Sequence, residues 1–215
     1  MASIILNDDL YDPQKGFRLR QVANIRTLTT LRQLDGPRKG LALRLIIDAD
    51  LLTQMKNGES IISLDGADLK EVELVGSNLT KVNLRDTDLR KAKLIDAVLQ
   101  GAKLWDSDMR EAQLEGATLD GADMNLVNLT NADLTSASLQ EVYLQRCNLE
   151  HAKLNDADMR GALLLGGTSL LHADLSGADL TDAVLNSAVI EESQLSEEQR
   201  KSVKGLPNKW YIQPS

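Results

Sequence analysis

The chain of 215 residues has one cysteine, Cys147, so no disulfide can form within it. Aromatic residues make up 3% of the sequence, and the one phenylalanine is Phe17. That excludes a globular centre built on large rings and leaves a core of aliphatic side chains. No apolar run approaches the roughly 18 residues that span a bilayer, and no secretory leader is recognisable. The expectation is a cytoplasmic protein with no membrane partner. Glycine-rich phosphate loops, zinc-ligand spacings and a Ser-His-Asp set are also missing. Neither an enzyme nor a bound cofactor or metal is expected.

What the chain has instead is a period. In LDGADLKEVELVGSNLTKVNLRDTDL, residues 64–89, a leucine falls on every fifth position. An α-helix turns about 100° per residue, so a step of five leaves successive leucines roughly 140° apart, with no common face. A flat strand fails too, because an odd step sends each leucine to the opposite side. The remaining solution turns once per repeat in a constant sense, so that every leucine points at one axis. Such a chain is a solenoid. Two residues before each leucine stands a small side chain, as at Ala67, Val72, Ser77, Ala92 and Ala102. Positions two apart on a strand share a face, so one large and one small group per side fill a narrow interior. Between them lies an outward position rich in Asp and Asn, for example Asp68, Asn78, Asp88 and Asp108.

This A-(D/N)-L-x-x pattern, clearest in GADLK, NADLT and GADLT, resembles the pentapeptide-repeat family over about Ile62 to Leu195. The resemblance implies an all-β solenoid: a right-handed quadrilateral β-helix with four repeats to a coil. Leucine or methionine holds every fifth place from Leu64 to Leu164, which is 21 repeats. After LLLGGTSLL the frame slips by one, and Leu170, Leu175, Leu180, Leu185, Ile190 and Leu195 add six. At four per coil that is about seven coils, a rod of roughly 32 Å at ~4.8 Å per level. Gly166 and Gly167 stand at the slip, where a one-residue bulge would want them.

The ends differ from the rod. Residues 1–60 read as a helical N-terminal cap, 61–195 as the β-helix, and 196–215 as a short C-terminal helix and tail. From Phe17, Val22, Ile25, Leu28, Leu31 and Leu34 recur at helical spacing up to Asp35-Gly36-Pro37. A second apolar stretch, Leu41 to Leu52, closes at Asn57-Gly58, and the two are expected to form antiparallel helices. RTLTTLRQLDGPRKG also resembles the segment preceding the repeats in some cyanobacterial members of the family. SEEQRKSVKG reads as a short helix with Ser196 as its N-cap. Residues 62–195 carry 11 basic and 23 acidic groups, a net of −12, of which −10 falls on 115–195.

Candidates for chemistry mostly read as packing. Cys147 takes a small inward position and behaves as a buried hydrophobe. His151 and His172 share a corner on adjacent coils, but two ligands without a placed third make a poor metal site. Solvated corner residues are the better reading of the pair. Asp68, Asp88 and Asp108 stack beside Lys70, Arg90 and Arg110 as an exposed ion-pair ladder.

One side departs from the polar rule. Tyr143, Leu163 and Val184 fall in one outward column, with Leu165 beside Leu163 and with Trp105 and Leu126 further up the same face. A contiguous outward apolar patch marks a docking surface, unless Trp210, Tyr211 and Ile212 of the tail fold back over it. The reading is a non-catalytic protein-protein interaction or scaffold protein whose partner is another protein or a second copy, with no nucleic acid bound. The alternative, implied by the resemblance, is a DNA mimic that binds a type II topoisomerase, as quinolone-resistance members of the family do. Acidity favours it. Those members, however, start their coil near the N-terminus, favour inward Phe and dimerise through an apolar C-terminal helix.

Overall fold

The corner that ends each repeat sets the architecture. At most corners the N–H of the small inward residue reaches back three positions to the carbonyl of the large one, as from Ala67 to Leu64 (3.0 Å) and from Ala92 to Leu89 (3.0 Å), whereas the Cys147 N–H donates to Thr168 Oγ1 (3.2 Å). The third residue of such a turn needs a positive φ. Every fifth residue from Gly66 to Gly166 has one, in the range 53–68°. Each repeat therefore bends the chain once, always in the same sense.

The computed structural model describes residues 16–52 and 61–207. Four repeats close one coil, because parallel bridges join residues 20 apart: Asp68 to Asp88, Asp88 to Asp108, Asp108 to Asn128, and so on. Each side is too short to form a named strand among the described residues, and neighbouring coils meet through single-residue bridges. Vertical hydrogen bonds fix the register, for instance Leu69 N–H to the Asp88 carbonyl (2.8 Å) and Asp88 N–H to the Ala67 carbonyl (3.0 Å). The step is 21 for the four bridges from Asn148–Ser169 to Leu163–Val184 and 20 again from Ser169 to Val189, which places the slip between Leu163 and Ser169. Gly166 and Gly167, at φ 65° and 89°, take up the extra residue at one corner.

The interior is a column of leucines interleaved with alanines. Leu89, Leu94, Leu99, Leu104 and Leu119 are inaccessible to solvent, as are Ala92, Ala97 and Ala102. Polar inward groups gather on one column: Thr87, Ser107 and Thr168 are buried, and each hydroxyl donates to a corner carbonyl. Cys147, in the same column, donates its thiol to the Met124 carbonyl (2.9 Å). Burial pushes that thiol up to about 12, so it is a packing group and no nucleophile.

Helices lie on the first coil. Helix α1 spans Phe17–Gln33 and α2 spans Gly36–Asp48. The second helix starts five residues before the apolar stretch suggested. Asp35 caps it by accepting from Arg38 N–H (3.0 Å), and Pro37 sits in its first turn. It ends at Asp48 rather than continuing to Leu52, while Asn57-Gly58 lies outside the described residues. Gly36 and Gly40, one turn apart, seat α2 on the rod, since a Cβ at either would overlap the carbonyl of Glu71 or Glu73. Between them Lys39, 4% exposed, donates to the Asp68 carboxylate (2.7 Å) and the Lys70 carbonyl (3.3 Å).

Only the second half of the expected apolar face of α1 packs, through Leu28 and Leu31. Arg20, Thr27 and Leu31 are buried, while Phe17, Val22 and Ile25 face solvent. Asn24 fixes the rotation by accepting the Ser63 N–H (2.9 Å), so the 20-24-27-31 line turns inward.

At the far end, open carbonyls meet side chains. Gln194, in a 3-10 turn at Glu192–Gln194, donates to the carbonyls of Leu170 (2.7 Å) and Ala173 (2.9 Å). Gln199, in helix α3 (Glu197–Ser202), repeats this five residues later at Leu175 (2.8 Å) and Ala178 (3.0 Å). Ser196 caps α3, and Gly205 then pairs with Val184 as a last rung.

Gly40→Val should push α2 off the first coil. Hydrogen exchange over residues 36–48 should rise at least tenfold while exchange in the middle coils stays unchanged. Unaltered protection of α2 would refute this seating.

Candidate functional site

The outward position between the two inward ones has its own backbone duty. The N–H of the residue two places on points out of the ladder, and an outward Asp or Asn accepts it. Asp88 does so for Arg90 (3.2 Å), Asn128 for Thr130 (3.1 Å) and Asp179 for Thr181 (2.9 Å). The Asp/Asn-rich pattern is therefore explained by turn chemistry. A regular array of carboxylates here needs no DNA-like surface to account for it.

Against that rule the apolar column stands out. Bridges join Asp123 to Tyr143, Tyr143 to Leu163 and Leu163 to Val184, so the three expected residues do share one side on successive coils. Tyr143 supplies no acceptor, and the Gln145 N–H turns to Asn125 Oδ1 one level up instead (2.8 Å). Trp105 and Leu165 belong to the corner column beside it, and Leu126 to the adjoining left-handed position. Exposure splits the set. Trp105 (42%), Leu126 (38%) and Tyr143 (49%) are open to solvent on three successive levels, while Leu163, Leu165 and Val184 are half-buried. Beneath Val184 the Gly205 rung closes the column. Trp210, Tyr211 and Ile212 lie outside the described residues.

Leu126 was expected on this face, but its left-handed backbone was not. Its φ is +62°, and every other non-glycine residue with a positive φ among those described is Asp, Glu, Asn, Lys, Arg, His or Ser. A left-handed aliphatic residue costs on the order of 1–2 kcal/mol. At 38% exposed, it recovers only part of that cost through burial. Behind this face run the inward hydroxyls of Thr87, Ser107 and Thr168, tied to corner carbonyls. Thr87 and Ser107 lie one coil apart, and Thr168 follows three coils later after Val127 and Cys147.

The remaining candidates stay structural. The rings of His151 and His172 stack at 4.8 Å between centroids and 22° between planes, so their nitrogens do not converge on one point. Glu191 Oε1 lies 3.8 Å from His172 Nδ1. No group of three or more His, Cys, Asp or Glu among the described residues is arranged to hold a metal. In the ion-pair ladder Arg90 grips Asp88 through two bonds (2.8 and 2.6 Å) and reaches Asp108 at 3.7 Å. The top rung differs from expectation: Asp68 is held by Lys39 of α2, while Lys70 pairs with Glu71. Among the described residues no helix is long and apolar enough to cross a membrane.

A family model described as Pentapeptide repeats matches in eight copies over residues 62–94, 92–131, 128–164 and 165–197. No curated protein matches the sequence. Among solved structures, a pentapeptide repeat protein (Rfr23) from the cyanobacterium Cyanothece 51142 is 30% identical, covering 50% of this chain and 86% of that one, with a TM-score of 0.44. A trypsin-treated QnrB1, a plasmid-mediated fluoroquinolone resistance protein, is 23% identical over 70% of this chain and 78% of its own, with a TM-score of 0.41. HetL, a pentapeptide repeat protein involved in heterocyst differentiation regulation in Nostoc sp. strain PCC 7120, is 26% identical over 59% and 84%, with a TM-score of 0.26.

The carboxylate rungs carry a pH dependence. The Arg90 guanidinium bonded to Asp88, and Arg160 bonded to Asp158, hold those carboxyls below the ordinary range, with partial burial opposing. Their stabilisation is present above the unfolded carboxyl value of about 3.9 and is lost as pH falls through the depressed folded values. Replacing Arg90 and Arg160 by Met should therefore move the acid-unfolding midpoint, followed by circular dichroism, to higher pH. An unmoved midpoint would mean the rungs do not contribute.

Proposed function

This chain belongs to the pentapeptide-repeat family, and we propose that it serves as a non-catalytic docking rod for a protein partner. The rod is a right-handed quadrilateral β-helix of about seven coils over residues 61–195. Residues 1–60 and 196–215 are its end pieces, and in their described parts Lys39 and Gln199 meet open carbonyls, as caps that prevent edge-to-edge aggregation do. The partner lands on the column formed by Trp105, Leu126 and Tyr143 and continued by Leu163, Leu165 and Val184.

One observation carries this reading: Leu126 is aliphatic, left-handed and exposed. Gly and Asn are the low-cost residues at such a corner, as at Gly121 and Asn131, and every other side chain there among the described residues is polar or charged. A residue kept against that preference, between an exposed tryptophan and an exposed tyrosine, suits an interface, where aromatic anchors dominate the energy. Repeat solenoids bind through such regular outward faces.

Leu126→Asn separates stability from binding. The variant should be as stable as the parent or more so, by about 1 kcal/mol, in a denaturant melt. Together with Tyr143→Ser it should lose at least tenfold of the protein retained by the immobilised parent chain from a native-cell extract. A destabilised Leu126→Asn with undiminished retention would remove the face from consideration.

A further inference from the structure

Eleven large hydrophobic side chains are exposed among the described residues, and they are not scattered. Six belong to α1 and α2, and three of the other five are Trp105, Leu126 and Tyr143. The two patches are chemically complementary. On the helices, Val22, Ile25, Leu41 and Leu45 are exposed at 44%, 66%, 64% and 65%. Among them stand the exposed arginines Arg18, Arg26, Arg32 and Arg44, which form no ion pair among the described residues. Residues 16–52 carry seven basic and three acidic groups, a net of +4. Around the rod column the carboxylates of Asp86, Asp106, Asp123 and Glu141 likewise form no ion pair among the described residues, and they stand beside the equally unbridged Arg85, Lys103 and Arg146. The surrounding stretch, 115–195, carries 3 basic and 13 acidic groups, a net of −10.

We propose that the occupant of the column is the helical end of a second copy of this chain. The inference rests on the docking reading above and names its partner. Leu41 and Leu45, one turn apart on α2, meet Trp105, Leu126 and Tyr143, while the unpaired arginines face the unpaired carboxylates. Each copy uses its helices to bind one neighbour and its rod face to receive another. Such a heterologous contact repeats into an open assembly unless its rotation closes a ring. The charge arrangement aligns the encounter and disfavours helix-to-helix and rod-to-rod approach. A lipid surface fits less well. The exposed apolar groups of α1 are interspersed with arginines around the helix, whereas an interfacial helix segregates them to one side. Nucleic acid would leave the exposed leucines without a partner.

Mixing two defective variants tests this directly. One carries Leu41→Glu and Leu45→Glu, and the other carries Trp105→Ser and Tyr143→Ser; circular dichroism first confirms that both fold. By light scattering, the mass of the parent should rise with concentration and fall back on adding salt, since screening weakens the arginine-carboxylate contacts. Each variant alone should remain monomeric. An equimolar mixture should show a twofold mass and go no further, because only one intact helical end and one intact rod face remain per pair. Charge reversal at Arg26→Glu with Arg44→Glu should abolish parental association just as the leucine changes do. A parent that stays monomeric at every concentration overturns the proposal, as does a mixture that stays monomeric. A monomeric parent that sediments with phosphatidylserine vesicles overturns it in favour of a lipid surface. If the parent is monomeric yet Leu126→Asn with Tyr143→Ser still loses a retained protein, the rod face stands and only its self-occupancy fails. If neither effect appears, both fail.

Discussion

Backbone hydrogen bonds parallel to the rod axis tie each coil to the next, and everything else in the protein is placed by that ladder. Leu69 N–H bonds to Asp88, Leu89 to Asp108 and Leu129 to Asn148, each at 2.7–2.8 Å. Such a ladder tolerates little variation in length per coil, because a bond made at one level fixes the phase at the next. Large inward residues at every fifth place keep that phase. Any side chain that points inward at one level therefore rests on its equivalent above and below, and any that points outward joins a vertical column. Surface chemistry in this protein is organised by column, at a spacing of 20 residues.

The ladder also creates the difficulty that the ends resolve. A first coil has carbonyls with no coil above, and a last coil has them with none below. At the top, Lys39 and the close approach of Gly36 and Gly40 bring α2 onto those carbonyls. At the bottom, Gln194 and Gln199 reach four carbonyls on two successive repeats, and the Gly205 rung pairs a third side. Covering the top with helices has a consequence for the surface. Because α2 is seated through glycines and α1 through Asn24, several of their aliphatic side chains are left facing water.

How much of this was legible depends on whether a feature shows in side-chain volume or only in backbone geometry. The five-residue period and the slip at Gly166-Gly167 follow from size and spacing, whereas the shared column of Tyr143, Leu163 and Val184 also needs the four repeats per coil that the family resemblance implies. The stacked pair His151 and His172 was visible for the same reason. The first half of α1 was not, because Arg20 and Thr27 are buried beside the Asn24 bond to Ser63 while Phe17, Val22 and Ile25 face solvent. Lys39 was equally hidden, since a lysine buried on a rod end looks like any surface lysine in sequence. Asp and Asn at outward positions resembled a functional acidic array until their bonds to the backbone two residues on were seen. The strain at Leu126 is purely a dihedral fact, yet it says most about the candidate face.

Two internal deletions test the primacy of the inward period. Removing residues 111–115 joins Arg110 to Gly116 and keeps Ala117 and Leu119 at their inward places, though every column below turns by one side of the coil. Removing residues 111–117 joins Arg110 to Thr118 and brings Gly121 to a large inward place and Met124 to a small one. In a thermal melt followed by circular dichroism, the five-residue deletion should retain a single cooperative transition near that of the parent. The seven-residue deletion should lose it. Equal melting of the two would contradict the account, because it would mean that something other than the five-residue inward period holds the coils in register.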